Sequence, residues 1–125
     1  MRKLVVFVLM IGAFIGPSLA AETQIVVDMS NFKFAPASVD LHAGVPTVLR
    51  LRNRGGRGHS FSAPEFFAAS KLGPEAAALV RDGGVEVAGH ATVDVRLIPT
   101  AGQYPLKCTH ALHSTFGMKG TIIVH

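Results

Sequence analysis

The chain of 125 residues has a single cysteine, Cys108. One thiol cannot form an internal disulfide, so Cys108 is buried and inert, paired between chains, or held by a metal. Charge is sparse as well. Asp, Glu, Lys and Arg make up 16% of the residues, and no long Lys/Arg block or interleaved basic and aromatic pattern occurs, which argues against a nucleic-acid surface. Long apolar stretches are confined to the start. Leu4 to Ile15 is unbroken apolar or Gly sequence, yet it is shorter than the roughly 20 residues of a membrane span, and Pro17 interrupts its extension. The sequence also lacks internal repeats, low-complexity tracts and any sign of a second domain.

The early apolar run has the layout of a secretory signal. Arg2 and Lys3 provide the positive start, Gly16 and Pro17 end the run, and Ser18-Leu19-Ala20 puts small residues where a signal peptidase reads. Cleavage is expected between Ala20 and Ala21. Residues 1–20 are then the signal peptide and residues 21–125 one domain of ordinary size. An uncleaved anchor is the competing reading. Export to the periplasm or beyond follows, with no membrane span in the mature chain. Losing Arg2 and Lys3 leaves ten basic and eight acidic side chains, a formal charge near +2 rather than +4.

The mature chain reads as short strands between turn signals. Ile25 to Val27 is β-branched. Phe32 and Phe34, then Val39 and Leu41, alternate with polar residues, and Ala43-Gly44 is a turn. In Val48 to Arg52, Leu49 and Leu51 fall on one face and Arg50 and Arg52 on the other. Ser60 to Ser62 is a short strand after a Gly/Arg loop. Val93, Val95 and Leu97 alternate, Tyr104, Leu106 and Cys108 share a face, and Thr121 to Val124 ends the chain as a strand. Period-two patterning over many short runs predicts an all-β sandwich or barrel. Pro64 to Arg81, rich in Ala, Phe, Leu and Glu, predicts one or two short helices inserted between strands. Ser62-Ala63-Pro64-Glu65 fits a capping box at their start, Gly73-Pro74 breaks the run and Gly83-Gly84 ends it.

The chemistry concentrates near the end, in Cys108-x4-His113-x4-Met118. A strand ends at Cys108, a loop runs to Met118 and a strand follows. A loop of this length can turn a thiolate, an imidazole and a thioether toward one point. His59, at the opening of a strand, is the candidate for a fourth donor. Two imidazoles, a thiolate and a weak thioether suit one copper ion, because sulfur stabilises Cu(I) and imidazole serves both oxidation states. Structural zinc sites seldom use Met and usually carry more Cys. His110 lies inside the same loop and competes with His113. Cys-x-His leaves little chain for both side chains to converge, with consecutive Cα atoms only about 3.8 Å apart, so His113 is preferred. His110 is expected to bond a carbonyl, tune the site, or bind a second metal weakly.

With these residues in place, the sequence resembles the cupredoxins, the family of plastocyanin, pseudoazurin, azurin and rusticyanin. The resemblance runs over nearly all of the mature chain, through Phe32-Lys33-Phe34-Ala35-Pro36, the Leu41 to Gly44 turn, Asn53, His59-Ser60-Phe61, Gly102-Gln103-Tyr104 and the Cys108 to Met118 loop followed by Gly120. It implies a Greek-key β-sandwich with copper at one end, and His59, Cys108, His113 and Met118 as the ligands of a type 1 site. It also implies the transfer of single electrons between redox partner proteins. The Cys-to-His spacing is longer than in plastocyanin-like loops and nearer to that of rusticyanin.

Other residues carry less. Phe61 and Phe116 are expected to pack around the site and exclude water. His42, His90 and His125 read as surface residues. Arg50, Arg52, Arg54 and Arg57 are solvated, and by their closeness to His59 could dock an acidic redox partner. A monomer is expected. A role in copper resistance, storage or delivery is the alternative to electron transfer, since one fold serves both. Catalysis is not expected. Multicopper oxidases place His on both sides of the copper Cys, whereas Lys107 and Thr109 stand here, and a binuclear copper site needs a second Cys.

Overall fold

Alternation of apolar and polar residues becomes strand pairing along most of the chain. The computed structural model describes Gly12, residues 22–110 and residues 117–125. Apart from Gly12, the expected signal peptide lies outside the described residues, as do His113 and Phe116. Among the described residues ten strands and two short helices follow one another: β1 (Thr23–Ser30), β2 (Lys33–Ala35), β3 (Ser38–Leu41), β4 (Thr47–Asn53), β5 (His59–Ser62), α1 (Pro64–Ala69), β6 (Lys71–Leu72), α2 (Pro74–Leu79), β7 (Gly84–Val87), β8 (Thr92–Ile98), β9 (Gly102–Lys107) and β10 (Lys119–Val124). One sheet has the order β2-β1-β4-β8-β6 and the other β3-β10-β9-β5-β7. This is the expected all-β sandwich with its short helical insertion. Among the described residues, no helix is long and apolar enough to cross a membrane.

The core lies between the two sheets. Val27, Met29, Leu49, Leu51, Val95 and Leu97 come from the first sheet, and Val39, Leu41, Phe61, Val87, Leu106 and Ile122 from the second; all are buried. Each large aliphatic side chain removed from water contributes about 1.5–3 kcal/mol. On the outer face of the first sheet, register pairs opposite charges. Arg50 stands opposite Asp94 and Arg52 opposite Asp28. Both pairs are two-pronged, with Arg50 donating through Nε and Nη2 at 2.8 and 2.9 Å and Arg52 at 2.6 and 3.0 Å. The hydrogen bonds from these guanidiniums are the main cause holding both carboxyls below the ordinary aspartate value.

The helical insertion departs from the expected detail. Two helices form, but no capping box does. Ser62 is the last residue of β5, buried and paired with Gly84 and Lys107. Ala63 holds the cap position of α1 without a side-chain hydrogen bond, and Pro64 opens the helix, where a missing N–H costs nothing. Phe66 and Phe67 then pack on the core, Phe66 edge-on to Tyr104 at 5.6 Å and Phe67 to Phe61 at 6.1 Å. Lys71 and Leu72 between the helices form β6 by pairing with β8, a strand too short to leave a periodic signal. Phe32 departs as well. It sits in the turn between β1 and β2 with φ of 57° and is 42% exposed, whereas Phe34 is buried.

The loop before His59 is pinned from within. Asn53, at the end of β4, is buried, and its Nδ2 donates to the carbonyls of Arg57 (2.7 Å), Val87 (3.1 Å) and Ala88 (3.2 Å). Its Oδ1 accepts the Gly55 N–H at 3.0 Å. One amide thus ties the 54–58 loop to the end of β7. Gly89 permits the same closeness, since a Cβ there would stand 2.3 Å from the Gly56 carbonyl oxygen.

Two outcomes follow for stability. Asn53→Ala strands several buried polar groups and should cost about 1–3 kcal/mol in urea denaturation; a loss below about 0.5 kcal/mol would contradict the pinning. A lowered carboxylate pKa gives stability that is complete above the ordinary aspartate value of 3.8 and is lost as pH falls below it through the native value. Asp28→Asn and Asp94→Asn should each cost about 0.2–1 kcal/mol at pH 7, the range of solvent-screened pairs. Their cost should shrink as pH falls through the native carboxyl values, and losses equal at pH 7 and in acid would refute the linkage.

Candidate metal centre

Three of the four expected ligands lie within the described residues, and all three are buried: His59 at 2% exposure, Cys108 and Met118 at 0%. His59 opens β5, Cys108 directly follows β9, and Met118 directly precedes β10. The β9–β10 hairpin pairs Lys107 with Lys119, and one further backbone bond, from the Cys108 N–H to the Met118 carbonyl at 3.1 Å, continues the ladder across the loop's two ends. β5 enters from the other side of β9, with Ser62 opposite Lys107. Gly120 lets β10 run close to its neighbour, because a Cβ there would meet the Ala37 carbonyl oxygen at 2.4 Å.

Cys108 Sγ is held from the β5 side. The Ser60 N–H donates to it at 3.4 Å, and the Ser60 hydroxyl lies 3.8 Å away. That hydroxyl also accepts the Thr109 N–H at 2.8 Å and is 2.8 Å from the Thr109 hydroxyl. The residue after His59 is therefore stitched to both Cys108 and the residue after it. The Ser60 N–H therefore fixes where the sulfur points. Phe61 packs edge-on to Phe34 at 5.9 Å within the core. His113 lies outside the described residues.

The donors fit a soft or borderline transition ion. A buried thiol with an N–H at its sulfur, a buried imidazole and a buried thioether offer no hard oxygen donor, which disfavours magnesium and calcium. Among the described residues, no three His, Cys, Asp or Glu side chains form a group able to hold a metal. The candidate set adds only His59 and Cys108 to such a count, the third described donor being a thioether.

His110 takes a role that sequence could not specify. Its Nε2 is joined to the carboxylate of Glu86 on β7, and its ring centre lies 6.4 Å from that of His59. Sequence reasoning missed Ser60, Thr109 and Glu86 as supporting residues. Ser60 carries a signal in hindsight, a hydrogen-bonding residue directly after the expected ligand His59. Glu86 carries none, because only strand pairing brings it to His110. Beside the site, a cavity of about 360 Å³ opens between Asn31, Phe32, Arg57 and His59.

Comparison with known proteins accords with this geometry. Solved structures of similar fold include auracyanin B (TM-score 0.58, 21% identity, 82% of this chain and 88% of that one). A dithionite-reduced auracyanin from the photosynthetic bacterium Roseiflexus castenholzii gives TM-score 0.60 and 19% identity over 84% and 98% of the two chains. Auracyanin A, described as a blue copper protein from Chloroflexus aurantiacus, gives TM-score 0.55 and 19% identity over 82% and 99%. No curated protein sequence matches. The family model of the cupredoxin-like domain matches residues 3–124, and the chain belongs to that family.

Proposed function

We propose that the protein is an exported electron carrier that holds one copper ion between His59, Cys108, His113 and Met118. The observation that carries this reading is the buried Cys108 sulfur, tied to β5 by the Ser60 N–H and flanked on the hairpin by Met118. Copper bound there would supply a one-electron couple. The chain's own part is to fix His59, Cys108 and Met118 at strand ends and to exclude water with Phe34, Phe61 and their neighbours. Donors set on paired strands resist movement, so a change of valence meets little structural rearrangement. The same fixity weighs against copper delivery, which needs donors that let go. No catalytic role is proposed, and the leader, residues 1–20, is proposed to direct export.

The chain is proposed to act as a monomer that meets acidic redox partners. Two of the four arginines expected at the docking surface are already engaged, Arg50 by Asp94 and Arg52 by Asp28. Arg54 and Arg57 remain exposed on the loop leading to His59, and Arg57 borders the same cavity as exposed Phe32. A basic rim beside an exposed aromatic ring suits brief encounters with an acidic surface, because charge steers approach and apolar contact seats it.

The copper-loaded protein should show an intense visible band that bleaches reversibly on one-electron reduction. His113→Ala should collapse that band while His110→Ala preserves it. Loss of the band in the His110 variant alone would reassign the ligand, and release of copper on reduction would reject the carrier role. Arg57→Glu should slow electron exchange with hexacyanoferrate, an anionic probe, by about threefold or more at low ionic strength. The difference should fade near 1 M salt, where the Debye length is only about 3 Å; a rate insensitive to both changes would remove Arg57 from the docking surface.

A further inference from the structure

At the other end of β10, roughly 20 Å along the strand from Met118, two histidines stand side by side. β3 is the edge strand of its sheet and runs parallel to β10, with Leu41 opposite Val124. Leu41 and Val124 are buried, so the period of two turns the next residues, His42 and His125, outward; both are exposed. Backbone bonds lock them together. The His125 N–H donates to the Leu41 carbonyl at 3.0 Å, and the Ala43 N–H donates to the His125 carbonyl at 2.8 Å. The two ring centres lie 6.2 Å apart. An ion bonded to both rings at about 2.0–2.1 Å would hold their centres roughly 5–6.5 Å apart.

A second observation concerns which nitrogen is free to bind. His125 Nε2 lies 3.3 Å from Asp40 Oδ1, and Asp40 shares the outward face two residues before His42. A carboxylate only accepts, so Nε2 carries the proton and Nδ1 presents its lone pair. A carboxylate behind an imidazole orients the ring.

We propose that His42 and His125 form a second, surface site for a borderline divalent transition ion such as Zn(II), Ni(II) or Cu(II), with Asp40 holding His125 and water completing the shell. Imidazole nitrogen selects this class over magnesium and calcium. Among the described residues no three His, Cys, Asp or Glu side chains form a ready metal group, so the site is an open two-imidazole clamp. It is independent of what the Cys108 centre binds.

The test is Zn(II) titration of the full chain preloaded with one equivalent of Cu(I), which is diamagnetic and occupies the sulfur donors first. Nitrogen-edited NMR then reads each imidazole and the Ala43 and His125 amides. Saturable shifts confined to His42, His125 and those amides are expected. His42→Asn and His125→Asn should each weaken binding about tenfold or more, and Asp40→Asn should do so by less, at the low end of the effect of removing such a support. Unmoved amides in the core strands verify that each variant is folded. Shifts only at His90 or His110, a linear response without saturation, or affinity unchanged by His42→Asn would overturn the site.

Discussion

Everything near the candidate centre depends on one backbone constraint, the meeting of β5, β9 and β10 around Cys108. The hairpin ladder sets Met118 across from Cys108 through a 3.1 Å bond, and the Ser60 N–H reaches the sulfur from β5. His59, Cys108 and Met118 are therefore fixed by hydrogen bonds of the sheet itself. A side chain placed this way has its position set by the fold.

The surrounding forces divide by place. Inside, apolar packing and the hydrogen bonds of Asn53 hold the loop that leads to His59, where an unmet polar group would cost more than it does in water. Outside, the sheet face carries its charge as two-pronged pairs, Arg50 with Asp94 and Arg52 with Asp28. These contribute little to stability individually, but they remove two arginines from the surface available to a partner. Arg54 and Arg57, on the loop that leads to His59, stay exposed.

Much of this was legible in the chain. The alternation of Leu49 and Leu51 with Arg50 and Arg52, and of Val95 and Leu97 with Asp94 and Arg96, matches the buried and outward sides of β4 and β8, because one face of each strand meets the core. A strand ending near Cys108 and another starting after Met118 were legible too, and β9 and β10 lie there. What escaped was non-local or too short for a period. Ser62 followed by Glu65 matched a capping pattern, yet pairing with Gly84 and Lys107 drew Ser62 into β5. Lys71-Leu72 became a strand only because β8 offered an edge. The partnership of His110 with Glu86 spans two strands that sequence cannot place side by side. Phe32 matched an alternating pattern but fell in a tight turn, where position in the turn outweighed hydrophobicity.

The central claim is that these strand ends form one rigid copper centre. Anomalous X-ray scattering at the copper edge, from crystals of the copper-loaded protein in oxidised and reduced forms, tests it most directly. A single peak in contact with Cys108 Sγ, His59, His113 and Met118 in both forms, with the donors unmoved, is the predicted result. A peak remote from Cys108, or one that vanishes on reduction, would contradict it.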